Sequence, residues 1–135
     1  NRQTMPYATF FEILFTVKAK SKASYYYKDV ISILNHPFIT NILPSAAAIL
    51  AQIKKENSTY STYDYLSSII EAKEEPVLQL LFQDWGLESA TAIKSCVRLL
   101  EHSKERTLSV IEEVSVSYLQ EVFLKIETLH DSYAY

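Results

Sequence analysis

The segment KAKSKASYYYK, at positions 18–28, carries the residue types best suited to bind a ligand. Tyrosine rings stack on nucleobases and lysine side chains neutralise phosphates, so lysines around a run of tyrosines are typical of contact with nucleic acid. The pattern predicts a DNA contact surface here, with candidate residues Lys18, Lys20, Lys22, Lys28 and Tyr25. Four neutralised phosphates correspond to a log–log salt slope of about −3.6, a modest affinity that salt screens easily.

A second interpretation of this segment needs no ligand. The lysines would lie in a solvated linker between two helices, and the tyrosines would pack half against the core. The chain has 13 Lys and Arg against 16 Asp and Glu, a formal charge of −3. A free-standing nucleic-acid-binding domain usually carries the opposite balance. Both interpretations stay open at the level of the sequence.

The usual motifs of catalysis and metal binding are missing from the sequence. A phosphate-binding loop needs several glycines, and Gly86 is the single glycine of the chain. The three histidines, His36, His102 and His130, lie far apart with no cysteine beside them, unlike the ligands of a zinc site. No G-x-S-x-G turn presents a hydrolase serine. We therefore expect no catalytic residue, no metal site and no cofactor.

Two acidic pairs and one cysteine remain as reactive side chains. The pair Glu74 and Glu75 precedes Pro76, where negative charge at the start of a helix is favourable. Glu112 and Glu113 are neighbours on a predicted helix and point about 100° apart, which suits shared chemistry poorly. We interpret all four as solvated helix residues. The single cysteine, Cys96, falls among apolar residues and is predicted to be a buried core thiol.

Composition and apolar spacing predict an all-α fold. The chain has 135 residues, 48% of them hydrophobic and 21% charged, which fits one globular domain over 1–135. One glycine and four prolines leave too few turn residues for an all-β fold. We expect an irregular bundle of about six to eight helices. Apolar residues at helical spacing place them at about 7–19, 26–34, 45–56, from 61, from 76, at 89–103 and at 108–132.

Local signals set several of the predicted helix ends. Pro37 disfavours an α-conformation at His36, so the second helix is expected to end near Asn35. Ser61 with Asp64 three residues later resembles a capping box, which predicts a helix that starts at Ser61. Residues 72–75 are predicted to be a charged link.

The last predicted helix carries an apolar stripe over 111–129 that needs a partner. The rest of the domain is the expected partner. The alternative is a second chain, which would make the protein a free-standing module for protein–protein interaction or dimerisation.

The sequence shows no membrane span and no signal-peptide pattern, because no apolar run approaches the 18 residues that a span needs. We expect a soluble, cytoplasmic protein with no membrane partner. The chain begins at Asn1 rather than at methionine, and it is expected to be part of a longer protein.

The stretch YYYKDVISILNHPF also resembles a known family. The matching residues are Tyr25, Tyr26, Tyr27, Lys28, Asp29, Val30, Leu34, Asn35, His36, Pro37 and Phe38. On them the chain resembles the inactivated superfamily I helicase proteins of Bacteroidetes, which are related to AddB of the AddAB helicase–nuclease and carry a PD-(D/E)XK nuclease domain. Residues 2–14 resemble the helix before this pattern, except that Met5 separates Thr4 from Pro6. The likeness covers about the first third of the chain.

The resemblance implies a noncatalytic helical subdomain, comparable to a 2B-type subdomain, from the helicase-like region of an ATP-dependent exonuclease subunit. Such a subunit acts in DNA double-strand-break repair and recombination. The implied partners are other domains of the parent polypeptide, DNA and a helicase partner subunit. The nuclease residues of the family lie outside this segment. In this interpretation Asn35 and His36 end one helix, Pro37 begins the next turn and Phe38 anchors it.

Overall fold

The computed structural model describes residues 5–21, 23–84 and 89–104 and the single positions 117, 120, 121 and 124. The elements in chain order are α1 (Met5–Lys20), β1 (Ser24–Tyr26), α2 (Tyr27–Leu34), α3 (Pro37–Ile42), α4 (Ala46–Glu56), β2 (Tyr60–Thr62), α5 (Tyr63–Ser67), a 3-10 turn (Ala72–Glu74), α6 (Glu75–Phe82) and α7 (Ser89–Lys104). Helices dominate the described residues, and the two short strands pair with each other. The fold is all-α, as the sequence predicts.

Helix α2 ends and α3 begins across Asn35, His36 and Pro37. His36 has an extended backbone, with φ −74° and ψ 135°, because the proline ring that follows it disfavours the α-conformation. Its imidazole Nδ1 accepts a hydrogen bond of 3.1 Å from the backbone N–H of Phe38. The Phe38 ring is buried against Phe10 of α1, with 5.1 Å between the ring centroids. The junction therefore has a local cap and a contact with the core.

Strands β1 and β2 form a two-stranded antiparallel sheet between segments that lie far apart in the chain. Ser24 pairs with Thr62, Tyr25 with Ser61, and Tyr26 with Tyr60. The backbone N–H of Tyr27 extends this contact with a bond of 2.8 Å to the carbonyl of Thr59. Because the strands are antiparallel, α2 begins at the end of the sheet where Tyr26 meets Tyr60, and α5 begins at the opposite end, where Thr62 meets Ser24.

The prediction that a helix starts at Ser61 is wrong. Ser61 lies in the middle of β2 and is buried, and its hydroxyl has no hydrogen-bond partner. The helix α5 begins two residues later, where the hydroxyl of Thr62 accepts a bond of 3.1 Å from the backbone N–H of Tyr65. The sequence pattern of a capping box was present, but pairing with β1 places Ser61 in a strand instead.

One apolar cluster joins the described elements. It includes Phe10 and Leu14 of α1, Ile33 of α2, Ile49 of α4 and Leu81 of α6. Such side chains at helical spacing turn one face of each helix inward, and their burial is the main favourable term in folding.

Cys96 on α7 belongs to the same cluster and is fully buried, so the prediction of a core thiol is confirmed. Burial raises the pKa of this thiol to about 12, because the thiolate would lose its hydration. The group is therefore a small apolar side chain at neutral pH rather than a nucleophile.

The interpretation of Glu74 as a solvated residue is wrong. The predicted charged link at 72–75 is a 3-10 turn that leads directly into α6, and only 1% of Glu74 is exposed. Its carboxylate accepts hydrogen bonds from Ser45 and from the backbone N–H of Glu71. The neighbouring Glu75 is partly buried and accepts a bond of 2.8 Å from the hydroxyl of Tyr63.

Several predictions fall outside the described residues. They concern Lys22, Gly86, Glu112, Glu113, His130 and most of the helix expected at 108–132. The described positions 117, 120, 121 and 124 are helical. The partner of the apolar stripe at 111–129 therefore stays a prediction.

Candidate functional site

Tyr25 and Lys18, two of the candidate DNA contacts, are bonded to each other inside the fold. Tyr25 is fully buried, and its ring meets Phe82 edge-on with 5.0 Å between centroids. Its hydroxyl accepts a bond of 3.1 Å from Nζ of Lys18, which also donates to the carbonyl of Gln83. The Tyr25 ring is consequently not available for a base to stack on.

Burial perturbs the titration of this pair in opposite directions. Loss of hydration lowers the pKa of Lys18 to about 8, although the nearby carboxylate of Asp84 acts to raise it. Loss of hydration, together with the same carboxylate, raises the pKa of Tyr25 to about 12. Each group therefore favours its neutral form more strongly than it would in water. This arrangement indicates a structural role for both residues.

Lys20 and Lys28 are exposed, as a DNA contact requires. Nζ of Lys20 lies 3.1 Å from Oδ1 of Asp29, so it is already paired with an acid in the first turn of α2. The Lys20 side chain is 55% exposed and that of Asp29 is 16% exposed, so solvent screens the pair in part and its contribution to stability is small. These two lysines are the part of the predicted DNA surface that reaches solvent among the described residues.

Three other tyrosines form a surface cluster beside the sheet, which we call the tyrosine cluster: Tyr26, Tyr27 and Tyr60. The rings of Tyr26 and Tyr60 lie across the sheet from each other, 5.6 Å apart, and that of Tyr27 is 4.9 Å from that of Tyr26. Tyr60 is 63% exposed. Sequence reasoning named Tyr25 instead. Alternation along a strand was the signal that could have separated the two, because neighbouring residues point to opposite faces.

One cavity among the described residues is a groove between α2 and α4, with a volume of about 550 Å³. Ile31 of α2 and Leu50 and Ile53 of α4 supply its aliphatic side chains. Lys54 and the turn after α4 add polar groups at its edge. We call this cavity the α2–α4 groove. Sequence reasoning did not find it, since it depends on how two helices face each other.

A second cavity, of about 310 Å³, lies between α6 and α7 and is polar. Asp84, Ser95, Arg98 and His102 are among the residues that line it. It combines a carboxylate with a guanidinium and an imidazole, so its charge does not select a cationic or an anionic ligand.

No group of three or more His, Cys, Asp or Glu side chains in the described part of the chain is placed to hold a metal ion. His36 uses its Nδ1 as a helix cap, and His102 lies in the polar cavity between α6 and α7.

No protein-family model matches this chain, and neither a curated protein nor a solved structure matches it. Among the helices of the described residues, none has the length and apolar character needed to cross a membrane.

Proposed function

We propose that the chain is a noncatalytic helical subdomain of an AddB-like helicase–nuclease subunit, and that it acts as a scaffold in DNA double-strand-break repair and recombination. In this proposal it touches DNA through Lys20 and Lys28. The parent protein is an ATP-dependent exonuclease subunit, and its other domains and a helicase subunit are the partners.

The observation that carries the proposal is the form taken by the YYYKDVISILNHPF segment. Most of its apolar side chains, among them Tyr25 and Phe38, are buried in the core, whereas Lys28 and Ile31 are exposed. The buried side chains of this segment hold it rigidly against the core, and its exposed side chains form a charged surface. Such a framework suits a domain that positions a DNA strand without reacting with it.

Fluorescence anisotropy with labelled single-stranded and forked DNA at low salt tests the DNA contact. The variants Lys20→Glu and Lys28→Glu should each weaken binding to every DNA sequence alike and reduce the salt slope by about one. Lys94→Glu, at an exposed position on α7, is the matched control and should leave the affinity unchanged. Equal affinity of all three variants and the wild type would remove the DNA-contact role of the two lysines.

The coding sequence on either side of this segment tests the scaffold role separately. We expect helicase-like motifs upstream and a PD-(D/E)XK region downstream. A complete flanking sequence with neither feature would contradict the assignment to this family.

A further inference from the structure

We propose that the α2–α4 groove binds a short, acidic, amphipathic helix of a partner protein. This inference goes beyond the proposed function and does not depend on it, because the groove and the two exposed lysines of the DNA proposal share no residue.

The floor of the groove explains why the occupant should be an apolar helix face. Ile31 is 39% exposed although it sits in the middle of α2, and Leu50 is only partly buried. Ile53, only 3% exposed, lies beneath them at the bottom of the groove. Grooves of this kind accept apolar anchors from one side of an amphipathic helix, spaced at i, i+3 and i+4. A cavity of about 550 Å³ is within the usual range for a bound group, roughly 300–1,000 Å³.

The charge of the groove explains why that helix should be acidic. Among the described residues that line it, Lys54 is the charged one, and no described ion pair includes it. The adjacent acid, Glu56, is already engaged by the amide of Gln52 and by the hydroxyl of Tyr65, 3.0 Å from its Oε2. The chain as a whole has a charge of −3, so this positive edge is a local feature that complements a carboxylate.

The same contacts argue against a nucleic acid as the occupant. Stacking of bases needs open aromatic faces, but the floor is aliphatic. The aromatic residue at the groove, Tyr27, is packed edge-on against Tyr26 with an interplanar angle of 66°. An aliphatic floor with one lysine and neutral amide and hydroxyl groups at the rim suits a peptide better.

Selection from a displayed library of helical peptides, each of about 14 residues, tests the proposal without a known partner. The folded chain is the bait, and the variant Ile31→Glu is the counter-bait. Because Ile31 is partly exposed, this variant should keep the wild-type circular dichroism spectrum. Peptides enriched on the wild type should carry apolar residues at i, i+3 and i+4 with glutamate or aspartate beside them. They should bind Ile31→Glu about tenfold more weakly by anisotropy.

A charge-swap experiment tests the same binding site without relying on Ile31→Glu alone. Lys54→Glu should weaken the selected acidic peptide about fivefold, and replacing the peptide's facing glutamate with lysine should restore the affinity. Lys94→Glu is the control and should change nothing. The proposal is overturned if no peptide is enriched over the counter-bait, if the enriched peptides are basic, or if an unlabelled single-stranded oligonucleotide or a second copy of the chain displaces them.

Discussion

The carboxylate of Glu74 accepts two hydrogen bonds from Ser45, one of 2.7 Å from its backbone N–H and one of 2.5 Å from its hydroxyl. Ser45 is the residue that precedes α4, so the bond ties the turn before α6 to the positive end of another helix. A third bond, of 2.9 Å, comes from the backbone N–H of Glu71. A buried carboxylate with three donors is a long-range link between two helix starts.

Replacement of Glu74 by glutamine should lower the free energy of unfolding by about 2–3 kcal/mol at pH 7, because charge-assisted bonds are lost and an amide cannot accept from all three donors. Urea denaturation followed by circular dichroism measures this. Glu101→Gln, at an exposed position on α7, should change the free energy by less than about 0.5 kcal/mol.

The same substitution should alter the acid sensitivity of the fold. Burial alone would raise the pKa of Glu74, but the hydrogen bonds from Ser45 and Glu71 outweigh it and hold the pKa below its ordinary value of 4.5. A depressed pKa means that the stabilisation is present above pH 4.5 and is lost as the pH falls through the folded-state pKa. The gap between wild type and Glu74→Gln should therefore narrow below pH 4.5. A constant gap would contradict this assignment.

The lowered pKa of Lys18 predicts that the free energy of unfolding rises at alkaline pH. Its pKa is about 8 in the folded protein against 10.5 in the unfolded chain, so the unfolded state binds more protons between these values. Stability should therefore rise with pH from about 8 towards 10. In Lys18→Met this rise should be absent, whereas Lys28→Met, at an exposed position, should retain it. Denaturation midpoints at pH 7.5, 9 and 10 provide the measurement.

The unpaired hydroxyl of Ser61 predicts that Ser61→Ala stabilises the fold. Its hydroxyl is buried in the sheet without a hydrogen-bond partner, and an unpaired buried hydroxyl destabilises a fold by roughly 1–3 kcal/mol. Ser61→Ala should raise the free energy of unfolding by about 1 kcal/mol. The adjacent Thr62→Ala should lower it by about 1 kcal/mol, because Thr62 caps α5. The opposite signs at neighbouring positions make thermal denaturation a clear test.

Substitutions of Asn57 test whether the backbone at the end of α4 is left-handed in solution. It ends α4 in the left-handed conformation, with φ 56° and ψ 39°. Asparagine and glycine tolerate this region, whereas a β-branched side chain does not. Asn57→Gly should leave the thermal midpoint nearly unchanged or raise it, and Asn57→Val should cost roughly 1–2 kcal/mol. Equal midpoints for the two variants would mean that the left-handed turn does not hold in solution.

The alternative function, a dimerisation module, predicts a concentration-dependent mass in sedimentation. The apolar stripe at 111–129 would form the contact, so Val114→Asp or Val122→Asp should convert a dimer to a monomer without unfolding it. If the wild type is a monomer at all concentrations, the dimerisation form of the alternative is excluded, and only binding to a different protein remains of it.

Signals that act within a few residues predicted the helices well. Pro37 disfavours an α-conformation at His36 wherever the rest of the chain lies, and the apolar spacing of α1, α2 and α4 needs only one buried side. Each of these elements therefore follows from its own segment.

Features that depend on a distant partner were missed. Ser61 carries the pattern of a helix cap, and it lies in a strand because Tyr25, 36 positions earlier (61 − 25), pairs with it. Glu74 has the surroundings of a solvated acid in sequence, and it is buried because Ser45 meets it. The α2–α4 groove likewise depends on two separate helices. Local sequence patterns do not show which distant residues pack together, so these three features could not be predicted.

The fully buried thiol of Cys96 can report transient opening of the core in the unmodified protein. A thiolate that forms only near pH 12 and lies inside the core reacts with a labelling reagent only while α7 is displaced. Since the sequence contains no other cysteine, each labelling event belongs to this helix. The labelling rate at pH 8, divided by that of a free thiol, therefore measures the fraction of chains in which Cys96 is exposed, without an introduced probe.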